Sequence, residues 1–184
     1  SGRITTPALL KAWGWVYLGN ILGAVGTAAF VFLADHHGFA GGAVGRTALA
    51  VANAKAALPT VPLFFLAVLC NVLVCLAVWM SFGAKSLTDK VVVIVPPIAA
   101  FVAAGFEHCI ANLYLLPYGL MIKAWAGPEF WAAIGRDAAS FAALTLPNTL
   151  HNITVSTIGN LIGGSLMVGI VYWFVHLRGR PWPR

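Results

Sequence analysis

The chain has 184 residues, of which 60% are hydrophobic and 9% are charged, whereas an average soluble domain has roughly 25% charged residues. This composition excludes an ordinary soluble domain and indicates an all-α integral membrane protein. The formal net charge is +6, but no basic patch with interleaved aromatic residues accompanies it, so we expect no nucleic-acid partner. Runs of about 20 apolar residues can cross a bilayer. We predict four: helix A (residues 9–34), helix B (59–82), helix C (91–122) and helix D (154–177).

The basic residues predict the orientation of the chain. With four crossings, both termini and the connection between helices B and C share one side of the membrane. That side carries Arg3, Lys11, Lys85, Lys90, Arg178, Arg180 and Arg184, whereas the other side carries Arg46, Lys55, Lys123 and Arg136. An excess of Lys and Arg is typical of the cytoplasmic face, so we predict cytoplasmic termini.

Helix B contains one polar residue deep in its apolar run, Asn71 in FFLAVLCNVLVCLAVWMSFG. Val74 and Cys75 follow it by three and four positions and therefore share its helical face. A lone asparagine in a membrane helix often makes an interhelical hydrogen bond, but it can also line a polar pathway. The sequence leaves both interpretations of Asn71 open.

Helix C is about 32 residues long, well beyond the roughly 20 that a straight crossing requires. It also contains Pro96, Pro97, Gly105, Pro117 and Gly119. We therefore predict a broken helix, with the break near residues 105–108. Unwound backbone at membrane depth is tolerated where it is buried in protein or lines a watery cavity.

Glu107 and His108 lie side by side at the midpoint of helix C, in AAGFEHCIANLYLLPYGL. Ionisable side chains are costly in hydrocarbon and often mark a substrate or ion pathway. We predict that His108 faces such a pathway while Glu107 pins the break. The alternative is a structural pair, with each other or with an asparagine. Asn112 follows His108 by four residues and could hydrogen-bond it on the same helical face.

Helices A and D share a motif, LGNILGAVG in the first and IGNLIGGSL in the second. Each places an asparagine between glycines four residues apart, a spacing that lets membrane helices approach closely; these residues are Gly19, Asn20, Gly23, Gly159, Asn160 and Gly163. Helices A and D cross in opposite directions, so the motif indicates an inverted repeat.

If helices B to D form one repeat, helix A is the last helix of an earlier repeat. The complete fold then has about six crossings, and its first two are absent from this sequence. Chance together with generic helix packing is the alternative.

Four segments resemble the formate/nitrite transporter family, and most closely its formate channel branch: CNVLVCLAVWMSFGAKSLTDK, GFEHCIANLYLLPYGL, GPEFWAAIG and TIGNLIGG with VGIVYWFVHLR. The resemblance covers residues 9–178, and it implies an aquaporin-like inverted-repeat fold of six helices per protomer. It also implies a homopentamer with one pore per protomer, in which helices two and five are broken. Helix C corresponds to the fifth helix, and residues 1–184 form a single channel domain that is the C-terminal part of this fold.

The resemblance also implies roles for individual residues. His108 corresponds to the central pore histidine, and Asn112 follows it as in the family. Phe101 lines the periplasmic constriction, with Asn71 and Val74 beside it. Lys55 matches a basic residue at the pore mouth, where a positive entrance attracts anions. An ordinary lysine anchored at the membrane interface is the alternative for Lys55.

The expected function is passage of formate, or a similar small monovalent anion, through a bacterial inner membrane. An imidazole has an ordinary pKa of about 6.5, so His108 can donate a proton or offset the charge of the anion. The alternatives are a nitrite or hydrosulfide channel and a non-transporting structural subunit. Without the first two helices the pore is not closed, so this chain alone is not expected to transport. A companion segment supplies them, or the sequence is a cut version of a longer protein.

No enzyme activity, metal or cofactor is expected. Cys70, Cys75 and Cys109 fall within predicted crossings without metal-ligand spacing and are interpreted as small buried hydrophobes. A bis-histidine haem needs two histidines at one depth on facing helices. The other histidines lie in outer loops or at the end of helix D, so none can meet His108.

Overall fold

The computed structural model describes residues 4–178, and its regular elements are helical. Within this range lie seven α-helices: α1 (Thr6–Leu33), α2 (Ala43–Ala56), α3 (Thr60–Gly83), α4 (Leu87–Ala103), α5 (Cys109–Trp125), α6 (Pro128–Ile134) and α7 (Leu146–Ile162). Short 3-10 turns at His36–Gly38 and Ala138–Phe141 connect them, and π-helical turns at Gly163–Ile170 and Trp173–Leu177 extend α7. Three of the basic residues used to predict the orientation, Arg3, Arg180 and Arg184, lie outside the described residues.

Three stretches of the described chain are long and apolar enough to cross a membrane: Thr6–Leu33, Thr60–Gly83 and Ala138–His176. The first two confirm predicted helices A and B to within a few residues. The observed helix, α1, is apolar around its whole circumference. Among the described residues, Ala28 is the one buried residue of α1. Large side chains such as Trp15 and Phe30 are 66% and 76% exposed, as expected for a helix that faces lipid or other helices.

Predicted helix C is two helices, α4 and α5, of 17 residues each. The α4 helix starts with a capping box, in which Ser86 Oγ accepts from the Asp89 amide and the Asp89 carboxylate accepts from the Ser86 amide. The Ser86 side chain, followed by the Ser86 and Lys85 amides, lowers the pKa of the Asp89 carboxyl by hydrogen bonding to it. The capping box places the polar end of α4 just before the predicted crossing.

The break in helix C follows from the sequence at Gly105. The Phe106 amide donates to Phe101 O at 3.0 Å and the Gly105 amide donates to Val102 O at 3.1 Å, which is the hydrogen-bond pattern of a Schellman motif. That motif requires a left-handed residue, and Gly105 has φ +67°, a conformation that costs glycine little. Helix α4 therefore ends here and α5 starts at Cys109, which confirms the predicted break.

Helix D starts earlier than predicted. Its first helical residue is Leu146 rather than residue 154, because Thr145 caps it: Thr145 Oγ1 accepts from the Asn148 amide at 3.3 Å. The polar residues of LPNTLHN resemble an outer loop in sequence, yet they form the first turns of α7. The connections before α3 and before α7 also contain α2 and α6, two helices that were not predicted from the sequence.

The chain divides into two compact units, which the structure describes over residues 4–178. Unit 1 comprises Ser1–Ala57 and Ile110–His151, and unit 2 comprises Leu58–Cys109 and Asn152–Arg184. The assignment of residues 1–184 to a single channel domain stays a prediction.

Unit 1 is held together where α2 meets α5. A Cβ at Gly119 would lie 2.5 Å from Ala52 Cβ, so the glycine allows the two helices to touch. Lys123 Nζ donates to Phe141 O at 2.8 Å and to Leu144 O at 2.9 Å. The ammonium group of Lys123 thus ties α5 to two backbone carbonyls of the segment that precedes α7.

Candidate functional site

His108 is the last residue of the stretch 104–108 that separates α4 from α5. Its half-buried imidazole is stacked on the ring of Phe101, with centroids 5.9 Å apart and 26° between the ring planes. This contact spans the break, since Phe101 lies in the last turn of α4 and His108 follows Gly105. Unit 2 therefore brings together the histidine and the phenylalanine that the family resemblance assigned to one pathway.

Glu107 is 2% exposed and is tied into unit 2 by its backbone and its side chain. Its amide donates to Leu66 O on α3 at 3.4 Å, and its carboxylate accepts from Asn152 Nδ2 on α7 at 3.4 Å. A buried carboxylate is costly unless it is hydrogen-bonded. The carboxylate has an asparagine partner, as the structural alternative expected, although Asn152 was not named from the sequence. The pinning role of Glu107 stays a prediction.

Asn160 on α7 makes several hydrogen bonds at the break, and it is 4% exposed. Its Nδ2 donates to Ala67 O on α3 at 2.7 Å and to Glu107 O at 3.0 Å. Its Oδ1 accepts from the Cys109 amide at 2.9 Å. One amide group thus links α7, α3 and both sides of His108.

Asn71 on α3 makes an interhelical hydrogen bond, which is one of the two roles that the sequence left open for it. Its Nδ2 donates to the backbone carbonyl of Asn160, and a Cβ on Gly164 would lie 2.6 Å from that nitrogen. Gly164 therefore leaves the space that Asn71 occupies. Val74, one turn along α3, is half-buried.

The glycines of the α7 motif pack directly on α3. A Cβ on Gly159 would lie 2.7 Å from both Ala67 Cβ and Phe64 O, and one on Gly163 would overlap the backbone of Val68. Hydrogen-bonded asparagine and close-packed glycines therefore act together: the glycines bring the two backbones close enough for Asn160 to reach Ala67.

The matching motif on α1 has different surroundings in unit 1. A Cβ on Gly19 or Gly23 would meet nothing within 4 Å, and Asn20 Nδ2 donates to Val16 O of its own helix at 2.8 Å. A groove of about 450 Å³ runs along this face, between α1 and the start of α5. Among the described residues, the motif on α1 thus lies on an open helix face, whereas the motif on α7 is packed against α3.

The remaining predicted site residues lie in unit 1. Asn112 is fully buried in the first turn of α5, and His108 lies before that helix rather than on it. Lys55 is half-buried in the last turn of α2, an element that was expected to be a connecting stretch. A cation is favourable at this end of a helix because the last carbonyls carry partial negative charge.

Sequence reasoning missed Asn152 and understated Asn160, which it assigned to helix packing alone. A signal was present, since Asn152, Ser156 and Asn160 recur every four residues on one face of α7 and are each at most 4% exposed. A polar stripe on an apolar helix indicates a buried polar contact with another part of the protein. Among the described residues, no three His, Cys, Asp or Glu side chains are grouped as a metal site needs.

Comparison with known proteins gives consistent matches. The sequence profile of the formate/nitrite transporter family matches residues 1–174. The formate channel FocA of Escherichia coli strain K12 is 44% identical over 179 residues, which are 97% of this chain and 63% of that protein. FocA of Haemophilus influenzae is 41% identical over 170 residues, which are 92% of this chain and 60% of that protein.

A solved structure described as a pentameric formate channel with formate bound has a TM-score of 0.90 to this chain at 40% identity. The match covers 97% of this chain and 70% of that one. The chain therefore has the fold of these channels, and it spans slightly less than two thirds of the length of the two FocA relatives.

Proposed function

Because the chain belongs to the formate/nitrite transporter family, we propose that the complete protein is a membrane channel for small monovalent anions of weak acids, with formate as the main substrate. The members to which it is similar are channels and transporters, not enzymes. The proposal concerns the complete protein, since this chain spans 63% of the length of the Escherichia coli relative.

The observation that carries the proposal is the half-buried imidazole of His108 at a helix break, stacked on Phe101, in a largely apolar chain. An anion that crosses a membrane meets its highest electrostatic cost at the midplane. An imidazole there can offset the charge or donate a proton to the anion, and it can recover that proton from water on the other side. Phe101 covers one face of the ring and limits which solutes can approach it.

Passage of nitrite or hydrosulfide is the alternative within the same family, because these anions are also small, monovalent and conjugate to weak acids. A structural subunit without transport is the second alternative. It gives no reason for an ionisable ring at the break, where an apolar side chain would be less costly.

Replacement of His108 by phenylalanine in the complete protein tests the role of this ring. We expect His108→Phe to abolish the pH dependence of formate flux into proteoliposomes between pH 5 and 8, the range in which an imidazole with a pKa of about 6.5 changes charge. His151→Phe is the matched control, because His151 is an exposed histidine of α7, and its pH profile should match that of the wild type. An unchanged pH profile in His108→Phe would contradict the role of His108, and absence of flux in the wild-type protein would reject the channel itself.

The partners and placement belong to the same proposal. We propose a homopentamer in the bacterial inner membrane with cytoplasmic termini. Similarity to the pentameric formate channel supports the homopentamer, and the distribution of Lys and Arg supports the placement of the termini. The first two helices of the family fold come from a companion segment or from a longer form of this protein.

A further inference from the structure

Two hydrogen bonds of Asn160 act on the two peptide groups that flank His108. Glu107 O, which accepts from Asn160 Nδ2 at 3.0 Å, belongs to the peptide group before His108. The Cys109 amide, which donates to Asn160 Oδ1 at 2.9 Å, belongs to the peptide group after it. The dihedrals φ and ψ of a residue are the rotations of these two planar groups about its Cα. A side chain that holds both groups therefore fixes the backbone of His108 and the direction of its Cα–Cβ bond.

The amide of Asn160 is itself held in place. Its Nδ2 also donates to Ala67 O on α3, and its own backbone carbonyl accepts from Asn71 Nδ2. Gly159 packs against Ala67 next to these contacts, so the α3–α7 contact provides a rigid reference for the break. The hydrogen-bond ladder of α4 ends at Ala103, before His108.

We infer that Asn160 is a positioning residue for transport: it fixes both peptide groups of His108 and so sets where the imidazole points. This inference rests on the proposed function of His108. It extends the predicted role of Asn160 from helix packing to control of the imidazole on which the pH dependence of flux depends.

A role in packing alone makes a different prediction. If Asn160 only joined α7 to α3, its loss would lower stability and leave the properties of His108 in the folded protein unchanged. If it positions His108, its loss changes the exposure and reactivity of that one imidazole even in molecules that remain folded and assembled.

The test is the rate at which diethyl pyrocarbonate modifies His108 in the complete protein, measured by mass spectrometry of the peptide that contains it. In Asn160→Ala we expect this rate to rise roughly fivefold. This factor corresponds to the loss of one hydrogen bond of ordinary net strength, which in the wild type favours the held conformation of His108. Formate flux should fall, and its pH profile should shift. Asn148→Ala is the matched control, because Asn148 lies on α7 and its Nδ2 donates to Ala143 O at 2.8 Å, outside unit 2. In this control variant, diethyl pyrocarbonate should modify His108 at the wild-type rate.

A folded Asn160→Ala protein with wild-type labelling of His108 overturns the inference. If the alanine variant fails to assemble, Asn160→Asp decides, because the aspartate has the same size and keeps an acceptor for the Cys109 amide but lacks the Nδ2 donor. We expect faster labelling in this variant too, and wild-type labelling in it overturns the inference. Absence of flux in the wild-type protein rejects the proposed function, whereas the labelling rates still decide the role of Asn160.

Discussion

Buried asparagines on α7 hydrogen-bond polar groups at the break in helix C. Asn160 satisfies the Glu107 carbonyl and the Cys109 amide, and Asn152 bonds the Glu107 carboxylate. A buried polar group without a partner costs about 1–3 kcal/mol, so the break is stable because these side chains lie opposite it. The polar residues of α7 thus stabilise the unwound segment that contains His108.

Lys55 differs from these residues, because its predicted role depends on long-range charge rather than on a contact. We expect Lys55→Gln in the complete protein to reduce formate uptake at low ionic strength and at low formate concentration, with a smaller loss at high salt. Attraction of an anion to a positive entrance is screened over a Debye length of roughly 8–10 Å at physiological ionic strength. Initial rates of uptake into proteoliposomes at several salt concentrations measure this.

Lys90→Gln is the control for Lys55→Gln. Lys90 is an exposed lysine near the start of α4, on the opposite face in the predicted topology, and its replacement should leave the salt dependence of inward flux unchanged. Equal flux for Lys55→Gln and wild type at low salt would leave Lys55 as a membrane anchor.

At the scale of elements, the contact of α3 with α7 supports the candidate site. Gly159 and Gly163 let the two backbones touch, and without a hydrophobic driving force in lipid such close packing is what holds membrane helices together. The π-helical turns from Gly163 onward begin at this contact. Extra turns of this kind inside helices are frequently found at functional sites.

Replacement of Gly163 by alanine tests this contact. The new Cβ would overlap the Val68 backbone, which cannot rotate aside as a flexible side chain can, so we expect a loss of stability of about 1–3 kcal/mol. The measurement is the free energy of unfolding in detergent or mixed micelles. Gly83→Ala is the control, because a Cβ there meets nothing within 4 Å. Equal stability of the two variants would show that α7 can move away from α3 without penalty.

For the whole molecule, the large exposed apolar side chains of α1 are typical of a surface that lipid or other membrane helices cover. Trp15, Leu22 and Phe30 are 66%, 67% and 76% exposed in the chain by itself. Monomeric soluble proteins rarely expose such continuous apolar surface. This surface fits a chain that lies within a bilayer.

The proposed assembly predicts a stoichiometry. Native mass spectrometry of the complete protein, released from mild detergent, should give five times the mass of one protomer, because the matching structure is a pentamer and the fold agrees with it at a TM-score of 0.90. The Gly83→Ala variant should give the same mass. A different number of copies at detergent concentrations that retain flux would contradict the homopentamer.

The sequence by itself determined the membrane class, helices A and B, the break in helix C and the family. Each of these follows from local information: the length of apolar runs sets the crossings, and a glycine that can adopt positive φ ends α4 at Gly105. The motif around Glu107 and His108 is likewise contiguous, which is why the resemblance could be found without a structure. The roles of His108, Phe101 and Lys55 stay predictions.

Only the tertiary structure decided what the polar residues of α7 contact. Asn160 lies 51 residues from Cys109 and 93 from Ala67 in sequence, and no helical periodicity relates side chains over such distances. The asparagine of the same apolar-Gly-Asn motif hydrogen-bonds a carbonyl of its own helix at Asn20, but the backbone of the helix break at Asn160. Its role therefore depends on which backbone lies opposite, and that is settled by packing rather than by the motif.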